Sequence, residues 1–573
     1  MNTSGIKHDG LKGGTHGGRP DGGIFLAMGL VVLITTTTRP QDTDSDKMVG
    51  YCQDTEKRPL IPAFYAGRCI LITGGTGFMG KVLIERLLTT CPDIDKLYLL
   101  MREKKGVTPE TRLQEMKESQ IFDIIRQSSP AQLDKLYILP GDITQPDLAL
   151  TQDSIAKLQE VSIVFHVAAT LKFNEALKIA VEQNVLSVIR LMDICDRLPN
   201  IEAFIHVSTA YCNAELSTIE ERVYPPPASL DRLLAVAESM PNDLMTDITP
   251  KYIAPKPNTY TFTKAMAEFA VQQHGNKGYS IAIFRPTIVI SAVKHPFPGW
   301  IENLNGPSGV IAATGKGLLH VFRCNSMAYA DLLPVDIAID TLLAVAWETA
   351  TDKLQDVRVY NCTTSENPTR WGDFENAVIK NIKLYPMDKA LWWPYGTAIH
   401  NKYLEKILEL LLQTVPLHLT EYISRLLGIK TQLNLITVSH RLQAMNKVLK
   451  FFALREWRFV NTNVQKLRTR LTPQDAAIYN LDPKSFKWEE HYLNFVKGIR
   501  KYLLKEKDQD LAKARQHVKR MFYLHTCVSV LLMGLVIRLA LQNKLVRDLF
   551  YGSMKFILSI FNKQLFNWNR KTV

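Results

Sequence analysis

A tyrosine and a lysine four residues apart, Tyr260-Thr-Phe-Thr-Lys264, have the types and spacing for acid–base chemistry. On a helix, that spacing puts both side chains on one face. The ammonium and the nicotinamide environment are expected to lower the phenol's pKa, so that Tyr260 can protonate a developing alkoxide. Spacing alone selects poorly, because Tyr252/Lys256, Tyr385/Lys389 and Tyr551/Lys555 share it. Pro255 and Pro257 disturb the first of these, Pro386 the second, and the third lies in an apolar tail. Only Tyr260 opens a proline-free helical pattern downstream of a nucleotide motif. Its hydroxyl partner is expected at the end of the apolar run Phe204-Ile-His-Val207, where Ser208 and Thr209 both qualify and Thr209 is favoured. Either would hydrogen-bond a substrate carbonyl and stabilise the oxyanion.

The nucleotide motif is Thr73-Gly74-Gly75-Thr76-Gly77-Phe78-Met79-Gly80. It joins the apolar run Cys69–Thr73 to the helical pattern of Lys81–Thr89, the context in which glycines let a backbone approach a dinucleotide pyrophosphate at a helix N-terminus. The next apolar run, Lys96–Met101, ends on Arg102, where an NAD site carries a carboxylate. A guanidinium suits a ribose 2′-phosphate, so NADPH is the expected cofactor, with Glu103 as the one dissenting neighbour. Asp142 and Ile143, closing the third run, would meet the adenine. Ala168, in His166-Val-Ala-Ala169, gives close backbone approach, with His166 read as structural. Pro286 and Thr287, in Phe284-Arg-Pro-Thr287, would line the nicotinamide side.

These residues need a parallel sheet to position them. Six strands are expected, at Cys69–Thr73, Lys96–Met101, Leu136–Pro140, Ser162–Val167, Ala203–Ser208 and Ser280–Phe284. Helices are expected between them at Lys81–Thr89, Thr108–Gln127, Glu175–Arg197 and Thr259–His274. The alternation predicts an α/β fold, a Rossmann-type doubly wound sheet covered on both faces. The expected organisation is an atypical N-terminal extension over 1–59, the NADPH-binding reductase domain over 60–347, a mostly helical domain over 348–519 and a membrane-anchoring tail over 520–573. The third of these contains leucine-rich helical stretches at Tyr403–Leu412 and Leu417–Leu427 and a mixed-charge helix at Lys497–Arg520.

The tail carries Met521–Ala540, twenty nearly continuous apolar residues with basic flanks, enough for one crossing of a bilayer. Leu549–Phe561, broken by Lys555, is expected in the membrane interface. Near the other end, Ile24–Ile34 is too short to span and has no clear cleavage site after it. The chain of 573 residues carries a net charge of +13 without a nucleic-acid signature, so lipid rather than nucleic acid is the expected polyanionic partner. Eight scattered cysteines, with no Cys-x-x-Cys pair, indicate a reducing compartment, no disulfide framework and no metal site. Asn361-Cys-Thr363 matches a glycosylation acceptor by accident.

On the residues alone, another extended reductase (an epimerase, dehydratase or hydroxysteroid dehydrogenase) or a membrane-anchored NADPH-binding scaffold fits as well. A wider set of motifs narrows the choice. Ile72–Gly80, Val207-Ser-Thr-Ala-Tyr211, Tyr260–Lys264, Arg285-Pro-Thr287, Pro298–Pro307 and Ala330–Asp336 together resemble the extended short-chain dehydrogenase/reductases, and among them the eukaryotic, insect-type fatty acyl-CoA reductases. Phe451–Leu504 resembles the "male sterility" domain of those enzymes. The resemblance covers about residues 60 to 560. It implies NADPH-dependent reduction of a long-chain acyl-CoA to a primary alcohol and CoA through an aldehyde. It also implies Tyr260 as acid, Lys264 as its orienting partner and ribose ligand, and Thr209 or Ser208 on the substrate oxygen. The implied setting is an endoplasmic reticulum or peroxisomal membrane with the catalytic domain facing the cytosol. A homo-oligomer is compatible with the chain.

Overall fold

The computed structural model describes residues 59–428, 434–544, 546–548 and 552–553. The readings made for residues 1–58, and for nearly all of Leu549–Phe561, lie outside them.

Seven parallel strands form one sheet: β1 Cys69–Thr73, β2 Lys96–Met101, β3 Leu136–Pro140, β4 Val161–His166, β5 Ala203–Val207, β6 Ser280–Pro286 and β7 Arg358–Cys362, in the order β7-β6-β5-β4-β1-β2-β3. Every residue of β1, β4, β5 and β6 is buried, as expected where helices cover both faces. The order reverses between β1 and β4, which opens a crevice at their carboxyl ends. The helix after β1, α1 (Phe78–Thr90), begins inside the glycine motif. The helix that carries Tyr260, α2, runs Thr259–His274 as expected. Its start is fixed by Asn258, whose Oδ1 accepts from Thr261 N at 2.9 Å.

Four sequence expectations are corrected. A seventh strand, β7, lies past residue 347 and pairs with β6 from Arg358↔Ala282 to Cys362↔Pro286. Its Asn361 is fully buried, with Nδ2 donating to the carbonyls of Ile219 and Val460 at 3.2 and 2.8 Å, so it cannot accept a sugar in the folded chain. The expected helix Thr108–Gln127 stops at Lys117, and the chain resumes at Asp123–Ser128. Arg126 ties the break together by donating to the carbonyls of Lys117 and Ser119. The two leucine-rich stretches form one helical run over 402–426, with a wide turn at Leu410–Thr414 just before Pro416. A proline inside a helix has no N–H for the preceding turn, and a wide turn absorbs the mismatch. Lys497–Arg520 is not one helix. The helical run from Trp488 ends at Leu503, Lys505 takes φ 54°, and Glu506 caps the gap by accepting from Arg500 Nε at 3.1 Å.

The sheet and the C-terminal helical region share a core. One apolar cluster joins Ile72, Leu83 and Val345 to Val464, Leu467 and Tyr479. A second joint lies beside the site, where Phe452, Trp457 and Phe459 meet the ring of Tyr211 edge-on at 5.2–5.3 Å. The chain then enters α3 (Leu511–Gln542), which is long and apolar enough to cross a membrane and has none of its most apolar stretch buried.

Candidate active site

The β1–α1 turn is built for close approach. Gly74 adopts φ +75°, and a Cβ there would lie 2.6 Å from Ala168 N, on the facing end of β4. A Cβ on Gly80 would lie 2.3 Å from Gly74 O, so the first turn of α1 sits directly on the glycine turn. Gly77 N closes the turn by donating to Gly74 O at 2.9 Å. The free N–H groups at the start of α1 open into a cavity of about 530 Å³, lined here by Gly74, Thr76, Gly77, Phe78, Met79 and Gly80. This cradle fits a dinucleotide pyrophosphate. Thr73 and Gly75 do not line it. The Thr73 hydroxyl pairs with His166 Nδ1 at 2.8 Å and accepts from Ala168 N at 3.3 Å, so it fixes the opposite wall from behind. Gly75 lies against Ile84 and Leu99. His166 is structural: burial holds its pKa down to about 3, and its ring stacks on His206 at 5.4 Å.

At the other end of the cradle two guanidiniums converge. Arg102 Nη1 donates to Asp142 Oδ2 at 3.1 Å. Arg112, which the sequence reading missed, donates to the carbonyl of Arg102 and, through Nη2, to Thr76 Oγ1 at 3.2 Å. Lys104 lines the same corner. Asp142 Oδ1 accepts from the amide and hydroxyl of Thr144 at 3.0 and 2.8 Å. Burial pushes its carboxyl up, but the Thr144 hydrogen bonds and Arg102 outweigh that and hold it below the usual range. Asp142 is therefore the anion that aims Arg102. Ile143 and Ala168 complete this part of the wall.

The candidate proton-transfer residues lie at the carboxyl end of β5. Tyr260, Lys264, Ser208 and Thr209 all line the cavity. Lys264 is buried and donates from Nζ to the carbonyl of Val207 at 2.8 Å. Burial pushes its pKa down to about 8, against the opposing charge of Glu268. Burial also raises the Tyr260 phenol, with a hydrogen bond to Thr209 acting the other way. The ammonium is engaged by a backbone carbonyl, and desolvation dominates at the phenol. The Ser208 hydroxyl has no hydrogen-bond partner among the described residues, whereas Thr209 Oγ1 also accepts from Tyr211 N at 3.3 Å.

Beneath this group, Arg285 forms a buried pair with Glu268 at 2.6 and 2.8 Å and donates to the carbonyls of Glu220 and Arg222. It is a tie holding β6 to α2, while the following Pro286 and Thr287 line the cavity. The Thr287 hydroxyl donates to Asp331 Oδ1 at 2.7 Å. The same cavity is also lined by a set of apolar side chains, Leu319, Phe322, Trp371, Phe374, Val378 and Phe452, which form an apolar sleeve. The sequence reading did not find this sleeve. Its signal was the spacing of Trp371, Phe374 and Val378 along the helix Trp371–Leu384.

Known proteins place the chain. An NAD-binding family model described as male sterility protein matches residues 72–342, and a second model, also described as male sterility protein but not as NAD-binding, matches residues 412–506. Fatty acyl-CoA reductase 1 of Xenopus laevis is 39% identical over 495 residues, which cover 86% of this chain and 95% of the relative. The chain belongs to the fatty acyl-CoA reductase family. Fatty acyl-CoA reductase 1 of Gallus gallus is 38% identical over 88% of this chain and 97% of the relative. Fatty acyl-CoA reductase 2 of Bos taurus is 36% identical over 87% and 96%. Among solved structures, the terminal R domain from the myxalamid PKS-NRPS biosynthetic pathway superposes with a TM-score of 0.51 at 16% identity, covering 77% of this chain and 93% of that one, and so shares the fold. Fold and family model together give this reductase-family chain a nicotinamide cofactor.

Proposed function

We propose that this chain reduces a long-chain fatty acyl-CoA to the primary alcohol, consuming two NADPH and two protons and releasing CoA, with an aldehyde between the two reductions. One observation carries the reading: a single cavity is lined by the glycine cradle, by Tyr260 and by an apolar sleeve that includes Phe374 and Val378. A sugar-nucleotide epimerase has no use for such a sleeve, and a scaffold has no use for the phenol and ammonium beside it.

The residues divide the work as follows. Gly74, Gly77 and Gly80 let the backbone meet the pyrophosphate, and Arg102 with Arg112 and Lys104 supplies positive charge for the ribose 2′-phosphate. Bound NADPH supplies the hydride for each reduction. In the first, Thr209 and Ser208 hold the thioester oxygen as it becomes an oxyanion, and its collapse breaks the C–S bond to give aldehyde and CoA thiolate. In the second, Tyr260 gives its proton to the alkoxide, completing the alcohol. Lys264 stabilises the phenolate that remains and orients the ribose. The sleeve excludes water from the aldehyde. α3 anchors the enzyme in the endoplasmic reticulum or peroxisomal membrane, with the site on the cytosolic side. Incubation of the full chain with palmitoyl-CoA and NADPH tests the reading. Hexadecanol at one mole per two moles of NADPH oxidised supports it, and a product that stops at hexadecanal, or none, refutes it.

A further inference from the structure

The helical run over 402–426 is inside out. Its polar residues Glu405, Gln413 and Glu421 are buried, while Ile407, Leu411, Leu419 and Leu426 are 56%, 56%, 55% and 86% exposed. A helix on a soluble surface shows the reverse pattern. Hydrogen bonds hold the orientation. Asn446 Nδ2 donates to Glu405 Oε1 at 3.3 Å, His320 N to Gln413 Oε1 at 3.3 Å, and Leu435 N to Glu421 Oε2 at 3.0 Å. Tyr403, Ile407, Leu411, Val415, Leu419 and Tyr422 follow one another every three or four residues, so they make one continuous stripe. An exposed apolar surface of this extent marks a partner.

We propose that this partner is the lipid bilayer that α3 enters, with the 402–426 helix lying in its plane and the far end of the cavity facing lipid. Continuity with α3 selects the bilayer. Gln413 bonds the backbone of His320, whose ring stacks on Tyr395 at 4.2 Å, and Tyr395 lies 5.0 Å from His525 of α3. Trp393 meets Phe522 at 4.9 Å, and Trp392 Nε1 donates to His525 Nδ1 at 3.0 Å. Trp and Tyr gathered where a spanning helix leaves the protein are the residues that settle at the membrane interface. Lys402 and Lys406 are exposed on the same run, in reach of anionic headgroups, while Arg425 pairs with Glu421 at 2.8 Å. Leu319, His320 and Thr397 line the cavity, and it is His320 whose backbone N donates to Gln413. On the function proposed above, a chain dissolved in the bilayer reaches the sleeve there without crossing water. The seating of the helix does not depend on that function.

The test uses the full chain in phosphatidylcholine–phosphatidylserine nanodiscs, with Cys52 and Cys527 replaced by serine. Single nitroxide labels are placed at Leu411→Cys, Leu419→Cys and Leu426→Cys, with Lys157→Cys as an exposed reference far along the chain. Collision with oxygen is compared with collision with a water-soluble nickel chelate. The proposal expects an oxygen-to-nickel ratio about threefold or more above the reference at all three positions. A ratio equal to the reference means the stripe is in water and overturns the proposal. Spin–spin broadening with both collision rates reduced means a second copy covers the stripe, and also overturns it. NADPH binding by each labelled protein shows that it is folded, and Leu426, the most exposed of the three, is the substitution least able to disturb folding. No turnover is needed, so a failure of the proposed reaction is read separately.

Discussion

The ammonium of Lys264 is bonded at 2.8 Å to the carbonyl of Val207, the residue directly before Ser208 and Thr209. The end of β5 therefore presents two hydroxyls to the cavity, and its last carbonyl fixes the cation that lies one helical turn from the phenol on α2. A buried lysine without a carboxylate partner at hydrogen-bond distance loses its proton easily, which is why burial brings this one down to about 8.

That value sets a pH dependence. Lys264 is cationic below its pKa and neutral above it, so the charge it contributes is present at neutral pH and disappears as pH rises through about 8. The expected kcat/KM is flat from pH 6.5 to 7.5 and falls about tenfold per unit above the pKa, because this ratio reports the free enzyme. Lys264→Arg, which stays charged, should extend the plateau upward at a lower maximum. A wild-type profile still level at pH 10 would remove Lys264's charge from the reaction.

Arg102 and Arg112 meet at one corner of the cradle, linked by the Arg102 carbonyl. Alanine at either position should weaken NADPH by about tenfold while leaving NADH within about twofold, and the double substitution should bring the two cofactors close to equal affinity. Titration of cofactor fluorescence measures this. Equal weakening of both cofactors would mean that the guanidiniums serve the pyrophosphate or the fold instead.

Much of this corner could be read without coordinates, and the reason is local. Thr73–Gly80 and Arg102 are adjacent in sequence to the strand ends that place them, so composition and order suffice. Arg112 reaches the corner only because a helix after β2 folds back over it, and no local pattern marks which face of that helix looks inward. The sleeve was hidden for the same reason. Its walls come from Leu319, Val378 and Phe452, which are far apart in the chain and come together only in the folded structure. The strand Arg358–Cys362 was short and lay past the expected end of the sheet, although Val359 and Tyr360 carry an ordinary β-propensity signal.

Ser208 and Thr209 separate by their partners. The Thr209 hydroxyl acts on the phenol, holding its pKa down against burial, and accepts from Tyr211 N, whereas Ser208 has no partner among the described residues. Thr209→Val should lower kcat by about 30- to 100-fold with little change in NADPH affinity, and Ser208→Ala by less than about tenfold. The reverse ranking would assign the oxyanion to Ser208.

Val378 lines the sleeve and is almost fully buried. Val378→Phe adds a ring to a filled wall, so part of the sleeve closes. Turnover of an 18-carbon acyl-CoA should drop by at least about tenfold, whereas that of a 12-carbon one should hold within about threefold. Equal loss for both lengths would place the acyl chain elsewhere.

The most direct measurement compares wild-type enzyme and Tyr260→Phe in the membrane-bound state, with palmitoyl-CoA turnover and NADPH affinity read on the same preparations. Tyr260→Phe removes the hydroxyl, and with it the proton, while keeping the ring, so alcohol formation should fall by about 10²- to 10⁴-fold while NADPH binds as before. A phenylalanine enzyme that makes hexadecanol at the wild-type rate would contradict the account.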